Sequence, residues 1–303
     1  MQKSAYYDTK FSLFTREMRM EMADYIRRDN LETVDASCAE VHPKVSFYTK
    51  YGKRVLDIVI GGVAFVITLP INVVIGICTF FDVGRPIFFK MQRPGKDGKP
   101  FVLIKFRNMR DERDKNGDLL LGNQRVTKFG KVMRRTSLDE LLNFWSILKG
   151  DMSIIGPRPL TMGYVQRYNN RHAARMAVRP GLECPILNAE SRSYTWDEQF
   201  ENDVWYVENV SLATDVKMCV GVVKLAFSKK ATKARSGAAK RGFMGYDENG
   251  KTISLDAVPE KYLDEALTNH MDEMDTAKYR FFRVFSPEVD DEVVGVEVLT
   301  CNA

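Results

Sequence analysis

With 303 residues the chain is long enough to bury a large core and to hold one domain with appendages. Its 45 lysines and arginines against 40 acids give a mildly basic balance, which suits an anionic membrane surface or phosphate-bearing substrates. The five scattered cysteines argue against a disulfide framework or zinc site, and none of the three histidines neighbours a second ligand type. We therefore expect a reducing compartment, and any metal should be a hard cation held by carboxylates.

The N-terminal segment begins with polar residues, so we expect no secretory signal. Four large apolar residues then recur at helical spacing and predict an amphipathic helix over residues 12–28: Phe14, Met18, Met22 and Tyr25. Packing against the protein itself is the favoured interpretation of this stripe. Contact with a membrane surface is the alternative.

A long apolar run follows from Val55 to Phe81, and its length would allow a helix to cross a bilayer. Asp57 near its start and the pair Leu69 and Pro70 in its middle are unusual for a straight span, because proline kinks or breaks a helix. Positively charged flanks favour the cytoplasmic side. Such flanks occur at both ends: Lys50, Lys53, Arg54, Arg85 and Lys90. The pattern predicts a broken helix that enters one leaflet and returns.

Two strands are predicted over residues 87–92 and 101–109, around a turn-rich segment at 93–100. Lys105 and Arg107 alternate along the second strand and therefore share one face. Two cations on one face suggest a surface that meets phosphate. A solvated strand face is the alternative. The charged segment over residues 111–122 is predicted to be a loop.

The central stretch carries two adjacent acids, Asp139 and Glu140, at the start of an apolar-periodic segment that ends at Gly150. A carboxylate can serve as a nucleophile or general base, and a pair of carboxylates can hold a divalent cation. Guanidinium groups clamp phosphate oxygens by forked hydrogen bonds. Arginines flank the acids on both sides: Arg134, Arg135 and Arg158.

The same residues also allow a structural interpretation. Ser137 and Glu140 have the spacing of a capping box, and acids stabilise the first turn of a helix. The two interpretations are compatible, because a helix N-terminus also attracts phosphate. Pro157 and Pro159 bracket Arg158, and two fixed φ angles stiffen the backbone that carries this side chain.

Several motifs in this order resemble the bacterial sugar transferases, the monotopic polyprenyl-phosphate phosphoglycosyl transferases. The resemblance extends from about residue 51 to residue 227. In that family the apolar segment is a re-entrant membrane helix broken at a proline. The motifs that carry the resemblance are Lys105-Phe106-Arg107, Arg134 to Glu140, Leu148 to Ser153, Gly156-Pro157-Arg158-Pro159, Arg179-Pro180-Gly181-Leu182 and Asp203 to Asn209.

The resemblance implies a two-step reaction in which Asp139 attacks the sugar-bearing phosphorus of a UDP-sugar and releases UMP. Polyprenyl (undecaprenyl) phosphate then takes the phosphosugar, which is the first membrane step of exopolysaccharide, O-antigen or capsule assembly. Glu140, together with Asp139, would hold Mg²⁺. Asp215 matches a further active-site residue, and the residues that would bind phosphate are Lys105, Arg107, Arg134, Arg158, Arg179 and Arg192.

One stretch departs from the family pattern. After Leu182 the family continues with a tryptophan and a Gly-Arg pair, whereas here Arg192 follows a segment that lacks both the tryptophan and the glycine. The departure over residues 183–191 affects the donor-binding loop and the choice of sugar. It also motivates an alternative function, a non-catalytic membrane-anchored scaffold or regulator of glycan assembly.

Two more helices are predicted over residues 195–209 and 211–227. Trp196, Trp205 and Tyr206 suit either a membrane interface or the core. Beyond a basic linker, the chain predicts a hairpin over residues 243–255, a helix over residues 259–274 and strands at 279–285 and 292–299. This last part carries no chemical motif.

The predicted fold class is α/β of the α+β type: a catalytic domain with a re-entrant, proline-broken membrane helix and interfacial helices, and a small C-terminal α+β extension. The expected location is the cytoplasmic face of the bacterial inner membrane. Expected partners are a UDP-sugar, polyprenyl phosphate and membrane lipid, without nucleic acid, and a homodimer is left open. The predicted divisions are 1–47, the transferase domain 48–228 with membrane segment 53–82, the linker 229–242 and the extension 243–303.

Overall fold

Helices and small two-stranded sheets alternate along the chain in the computed structural model, which describes residues 16–113, 122–186, 194–227 and 242–269. This mixture agrees with the predicted α+β class. The chain forms two compact units, one of Met1–Met22 with Val258–Ala303 and one of Ala23–Ala257. The predicted domain boundaries remain predictions. The basic linker, except Gly242, and the two C-terminal strands lie outside the described residues.

The helices of the described residues vary greatly in length, and a single one is long and strongly apolar. Short 3-10 turns at Leu138–Glu140, Met162–Arg167 and Ala174–Ala177 separate some of them. In chain order the α-helices are α1 (Arg16–Ser37), α2 (Lys53–Val83), α3 (Gly122–Arg125), α4 (Lys128–Thr136), α5 (Asn143–Lys149), α6 (Asn170–Ala173), α7 (Trp196–Asn209), α8 (Leu212–Phe227) and α9 (Glu260–Asn269).

Helix α1 confirms the predicted N-terminal helix and extends it to Ser37. Met18 and Met22 are almost fully buried, so this stripe packs within the protein, as the favoured interpretation predicted. Further along, Val34 joins a core cluster rich in aromatic rings. Phe14 lies outside the described residues.

Helix α2 is continuous through Leu69 and Pro70, so the predicted break is not an interruption of the helical backbone. Proline removes one main-chain hydrogen bond and can kink a helix without ending it. Two residues before Pro70, the Thr68 hydroxyl donates to the carbonyl of Ala64 at 2.8 Å. The re-entrant course through a membrane stays a prediction.

The two sides of α2 differ sharply. Its outward side carries a nearly continuous row of exposed aliphatic and aromatic side chains, whereas Gly61 and Gly76 are buried against the rest of the protein. A Cβ at Gly61 would lie 2.9 Å from Ile147 of α5, so glycine allows this close approach. Among the described residues, the stretch Tyr48–Val83 has the length and apolar composition of a membrane helix.

Both ends of α2 are bound to the same compact unit. At the N-terminal end, Arg54 donates to the carbonyls of Ile147 and Leu148 at 2.6 and 2.8 Å. Near the other end, the Thr127 hydroxyl donates to Asp82 at 2.5 Å. The rest of the same unit therefore contacts the helix near both of its ends.

The sheets of the described residues pair strands that are close in the sequence. The two strands predicted around residues 93–100 pair as an antiparallel hairpin, β1 (Phe88–Pro94) with β2 (Pro100–Phe106). Strand β2 ends before the predicted position 109, so Arg107 lies outside the strand and does not share a strand face with Lys105 as predicted. Strand β3 (Ser153–Ile155) pairs in parallel with β4 (Gly181–Glu183). A Cβ at Gly181 would come within 2.1 Å of the Gly156 nitrogen, which explains glycine there. A second antiparallel hairpin, also as predicted, joins β5 (Phe243–Tyr246) and β6 (Thr252–Ser254).

Helix α7 begins with a complete capping box between Thr195 and Glu198. Trp196 and Tyr206 are buried, which decides between the two predicted interpretations in favour of the core, while Trp205 stays 42% exposed. Phe243 of the second hairpin stacks its ring among those of the core cluster, which includes Tyr168, Trp196, Phe200 and Tyr246.

Candidate active site

The backbone changes direction abruptly just before Asp139. Helix α4 ends at Thr136, and Ser137 takes a left-handed conformation with φ 57° before the 3-10 turn Leu138–Glu140. The predicted capping box is wrong, because the Ser137 side chain makes no capping bond and the Glu140 carboxylate contacts Lys105 and Arg158 instead. The predicted end of the following helix at Gly150 is confirmed.

A side chain that the sequence did not single out, Asn108, holds the Asp139 carboxylate. Its amide nitrogen donates to Asp139 Oδ2 at 3.1 Å, and its carbonyl oxygen accepts from Arg134 Nε and Nη2 at 3.1 and 2.9 Å. The buried Asn108 thus links the Arg134 cation to the carboxylate. The available signal was its position directly after the Lys105-Phe106-Arg107 motif.

Asp139 is 7% exposed and belongs to no ion pair among the described residues. Burial raises the pKa of Asp139, and the neighbouring Glu140 charge raises it further, while the charges of Lys105 and Arg134 act in the opposite direction. The ionised form therefore depends on the surrounding cations. A carboxylate of this kind gains from any further positive charge that approaches it.

Unlike Asp139, Glu140 is in direct contact with cations. Its Oε1 atom accepts from Lys105 Nζ at 2.6 Å and also pairs with Arg158. Burial raises the pKa of Glu140, but the charges of Arg158 and Lys105 outweigh this effect, so the pKa is lowered. Glu140 is a fixed anion that gathers two cations beside Asp139.

A cavity of about 140 Å³ opens beside Glu140. Three of its described lining residues are cations, Arg93, Lys105 and Arg158, and Glu140 is the one carboxylate. Arg93 donates to the sulfur of Met91 at 3.0 Å and makes no ion pair within the described chain. Burial and the Arg158 charge lower the pKa of Arg93. Sequence reasoning missed Arg93, and the surplus of positive charge suits a phosphate group.

A buried ion pair between Arg175 and Asp203 holds the Arg158 backbone in place. Arg175 donates through Nη2 to the Arg158 carbonyl at 3.0 Å, and through Nε and Nη2 to Asp203 at 3.0 and 2.6 Å. Arg175 and Asp203 are 4% and 0% exposed. Beside Pro157, this brace fixes the segment that points Arg158 towards Glu140.

Several predicted site residues make their contacts elsewhere. Arg107 donates to the carbonyls of Met109 and Arg85 and to Asp111, and Arg179 donates to the Gly150 carbonyl at 3.0 Å. Asp215 accepts from Tyr48, Lys53 and Tyr206 at 2.6, 2.6 and 2.7 Å. Arg192 lies outside the described residues, as does most of the altered loop. The roles assigned to these four residues stay predictions.

The pair Asp139 and Glu140 fits the carboxylate half of a magnesium site. Mg²⁺ commonly binds one or two carboxylates and completes its shell with substrate phosphates and water. Asp139 has an anionic oxygen that meets no cation directly, which is the donor such an ion requires. No group of three or more potential ligand side chains occurs among the residues that the structure describes, so the remaining ligands would come from substrate and water.

Comparison with known proteins gives a family match over nearly the same residues as the predicted transferase domain, 48–228. Residues 48–229 match the family described as bacterial sugar transferase. The uncharacterized sugar transferase EpsL of Bacillus subtilis is 43% identical over 160 residues, which cover 52% of this chain and 79% of that protein. A UDP-glucose:undecaprenyl-phosphate glucose-1-phosphate transferase of Caulobacter vibrioides is 30% identical over 181 residues, or 56% of this chain and 68% of that protein.

Other relatives are much longer than the matched region. A UDP-N-acetylgalactosamine-undecaprenyl-phosphate N-acetylgalactosaminephosphotransferase of Aeromonas hydrophila is 32% identical over 172 residues, which are 54% of this chain but 41% of that protein. The shared part is therefore the segment that contains α2, the first hairpin and the Asp139 turn. On the extent of these matches, the chain belongs to the bacterial sugar transferase family of enzymes.

Proposed function

We propose that this protein transfers a sugar-1-phosphate from a UDP-sugar to polyprenyl phosphate, undecaprenyl phosphate in the cell, through a covalent intermediate on Asp139. The observation that carries the proposal is the contrast between two adjacent carboxylates. Asp139 is oriented by Asn108 and free of direct ion pairs among the described residues, whereas Glu140 is held by Lys105 and Arg158. The names of the relatives support the substrates.

In the first step, an oxygen of the Asp139 carboxylate attacks the phosphorus that bears the sugar. A bond forms between this oxygen and phosphorus, and the bond from phosphorus to the bridging oxygen breaks. The electron pair leaves with that oxygen on UMP. Because the nucleophile is already an anion, no proton has to be removed, and the groups around it serve to position and to neutralise charge.

The cations of the cavity would bind the diphosphate of the donor. Arg158 and Arg93 can each present a planar fork to phosphate oxygens, and Lys105 adds a point charge. Mg²⁺, held by Asp139 and Glu140 when bound, would neutralise diphosphate charge and stabilise the leaving group. Arg134, acting through Asn108, keeps the carboxylate oriented.

In the second step, an oxygen of polyprenyl phosphate attacks the same phosphorus. Its bond to phosphorus forms while the bond to the Asp139 oxygen breaks, and the electron pair returns to the carboxylate. The products are polyprenyl diphosphosugar and the free enzyme. Two consecutive displacements through a covalent intermediate replace one direct transfer, and the intermediate requires a nucleophilic side chain such as a carboxylate.

We also propose that α2 enters one leaflet and that both of its ends stay on the cytoplasmic side of the inner membrane. Arg54 and Asp82, near opposite ends of the helix, both contact the same compact unit. A helix that crossed the bilayer would carry its ends to opposite sides. The exposed apolar side of α2 would face the lipid.

The test of the reaction is UMP release from purified protein with Mg²⁺, undecaprenyl phosphate and a panel of UDP-sugars. We expect release with one or a few sugars, and a labelled phosphosugar on Asp139 when the lipid is omitted. No release across a broad panel would instead favour the scaffold function, which the altered loop before Arg192 motivated.

The test of the membrane arrangement is cysteine labelling in intact cells. Single cysteines before Lys53 and after Phe81, in a background without native cysteines, should both be shielded from a membrane-impermeant reagent added outside. Labelling after Phe81 with protection of the N-terminal side would mean that α2 spans the bilayer.

A further inference from the structure

A second opening, which we name the α2 groove, runs along the membrane helix on a different side of the Asp139 turn from the cationic cavity. We infer that the α2 groove binds the isoprenoid chain of the polyprenyl phosphate acceptor, an inference that rests on the proposed function. The groove has a volume of about 1050 Å³. Its lining is almost entirely apolar and includes Val73, Gly76, Phe106 and Leu142, with Asn72 and Arg85 as polar exceptions.

Asn72 is the first sign that the groove receives a ligand. It is 7% exposed, and neither its amide nitrogen nor its amide oxygen has a hydrogen-bond partner within the described residues. A buried amide without partners is costly, and a leucine would fill an apolar wall at lower cost. An amphiphile with a polar group next to an apolar chain would satisfy the amide and fill the groove together.

Arg85 indicates that the polar group of this amphiphile is an anion. This arginine lies at the rim of the groove, and its guanidinium rests over the Phe80 ring at 5.7 Å from the ring centre. Its side chain is exposed and forms no ion pair among the described residues. A cation at the rim of an apolar channel is complementary to an anionic lipid and offers nothing to a neutral one.

The groove also approaches the nucleophile. Phe106 belongs to a packed cluster with Ile75 and Met133, against which Leu138 and Leu141 pack, and these two leucines flank the pair of carboxylates. Leu142 belongs to the same cluster and lines the groove. The donor cavity opens where Glu140 meets Lys105, whereas the groove wall adjoins the other side of the same turn. On this assignment, donor and acceptor approach Asp139 from two different openings, which suits two consecutive displacements on one carboxylate.

A matched pair of variants tests this assignment. Val73 and Val74 are neighbours on α2 with exposures of 56% and 59%, but Val73 lines the groove and Val74 does not. We expect Val73→Trp to raise the KM for undecaprenyl phosphate about tenfold, equivalent to the loss of one well-packed contact, with Val74→Trp near wild type. UMP released in a single turnover without lipid should be unchanged in both, which separates the groove from donor chemistry. Equal effects of the two variants would overturn the assignment.

A binding measurement keeps the inference testable even if no sugar donor is found. A prenyl phosphate that carries a diazirine should cross-link to the peptide that contains Asn72 and Gly76. Unlabelled undecaprenyl phosphate should reduce the cross-linking, and Asn72→Leu should weaken it severalfold while leaving the protein folded. Equal competition by phosphatidylglycerol would mean that the groove holds bulk lipid, and would refute selective binding of the acceptor.

Discussion

Replacing Asp139 by asparagine should separate catalysis from stability. Asparagine has nearly the same shape, and its carbonyl oxygen can still accept the hydrogen bond from Asn108 that now reaches Oδ2 at 3.1 Å. Because burial and the Glu140 charge raise the pKa of Asp139, the folded protein disfavours this charge, so its removal should leave the free energy of unfolding unchanged or slightly higher. We expect a change within about 1 kcal/mol.

Transfer, in contrast, should fall by at least about a thousandfold, because an amide cannot form the phosphosugar intermediate. The assay is UMP release and thermal unfolding on the same detergent preparation, with mass spectrometry to exclude deamidation back to aspartate. Asp151→Asn, which alters an acid that pairs with Lys149 and does not line the cavity, serves as the control. A folded Asp139→Asn protein with more than a tenth of wild-type release would refute the nucleophile assignment.

Two further changes test the surroundings of this carboxylate. Arg93→Gln should raise the KM for the UDP-sugar about tenfold by removing one cation from the phosphate cavity, whereas Lys99→Gln, at an exposed position, should leave it unchanged. Equal values for the two would contradict the role of Arg93. Arg175→Met should lower the free energy of unfolding by about 3–5 kcal/mol, because Asp203 would remain buried without its cation, and adding Asp203→Leu should restore most of the loss. Thermal unfolding of the single and double variants is the measurement.

The sequence predicted which helices and strands form better than it predicted how their ends are capped. The 195–209 helix and the first hairpin form as expected, because capping and turn residues at their boundaries act locally. The capping box at Ser137 and Glu140 failed, because a short-range pattern could not anticipate that Glu140 is drawn away by Lys105, 35 positions earlier in the chain. Long-range ion pairs override local capping when they satisfy the same carboxylate.

The sequence predicted only part of the site, because it does not show contacts between residues that are distant in the chain. Motif residues such as Lys105 and Arg158 were named, and the structure brings both to Glu140. Asn108 and Arg93 were missed, because an asparagine after a strand and an arginine before a proline have many ordinary uses. Their importance follows from contacts across the fold. Asn108 contacts Asp139, and Arg93 lines the cavity beside Arg158.

In the proposed mechanism, the two adjacent carboxylates of one turn have different chemical roles. An acid that two cations already bind is a poor nucleophile, because attack would require it to give up those contacts. Glu140 is in this position, and its lowered pKa reflects the stabilisation. Asp139 differs in that burial raises its pKa and its side-chain partner among the described residues is the neutral amide of Asn108, so its anion is less stabilised and more reactive. In the proposed reaction, Lys105 and Arg158, which hold Glu140, also line the cavity in which the donor phosphate would bind.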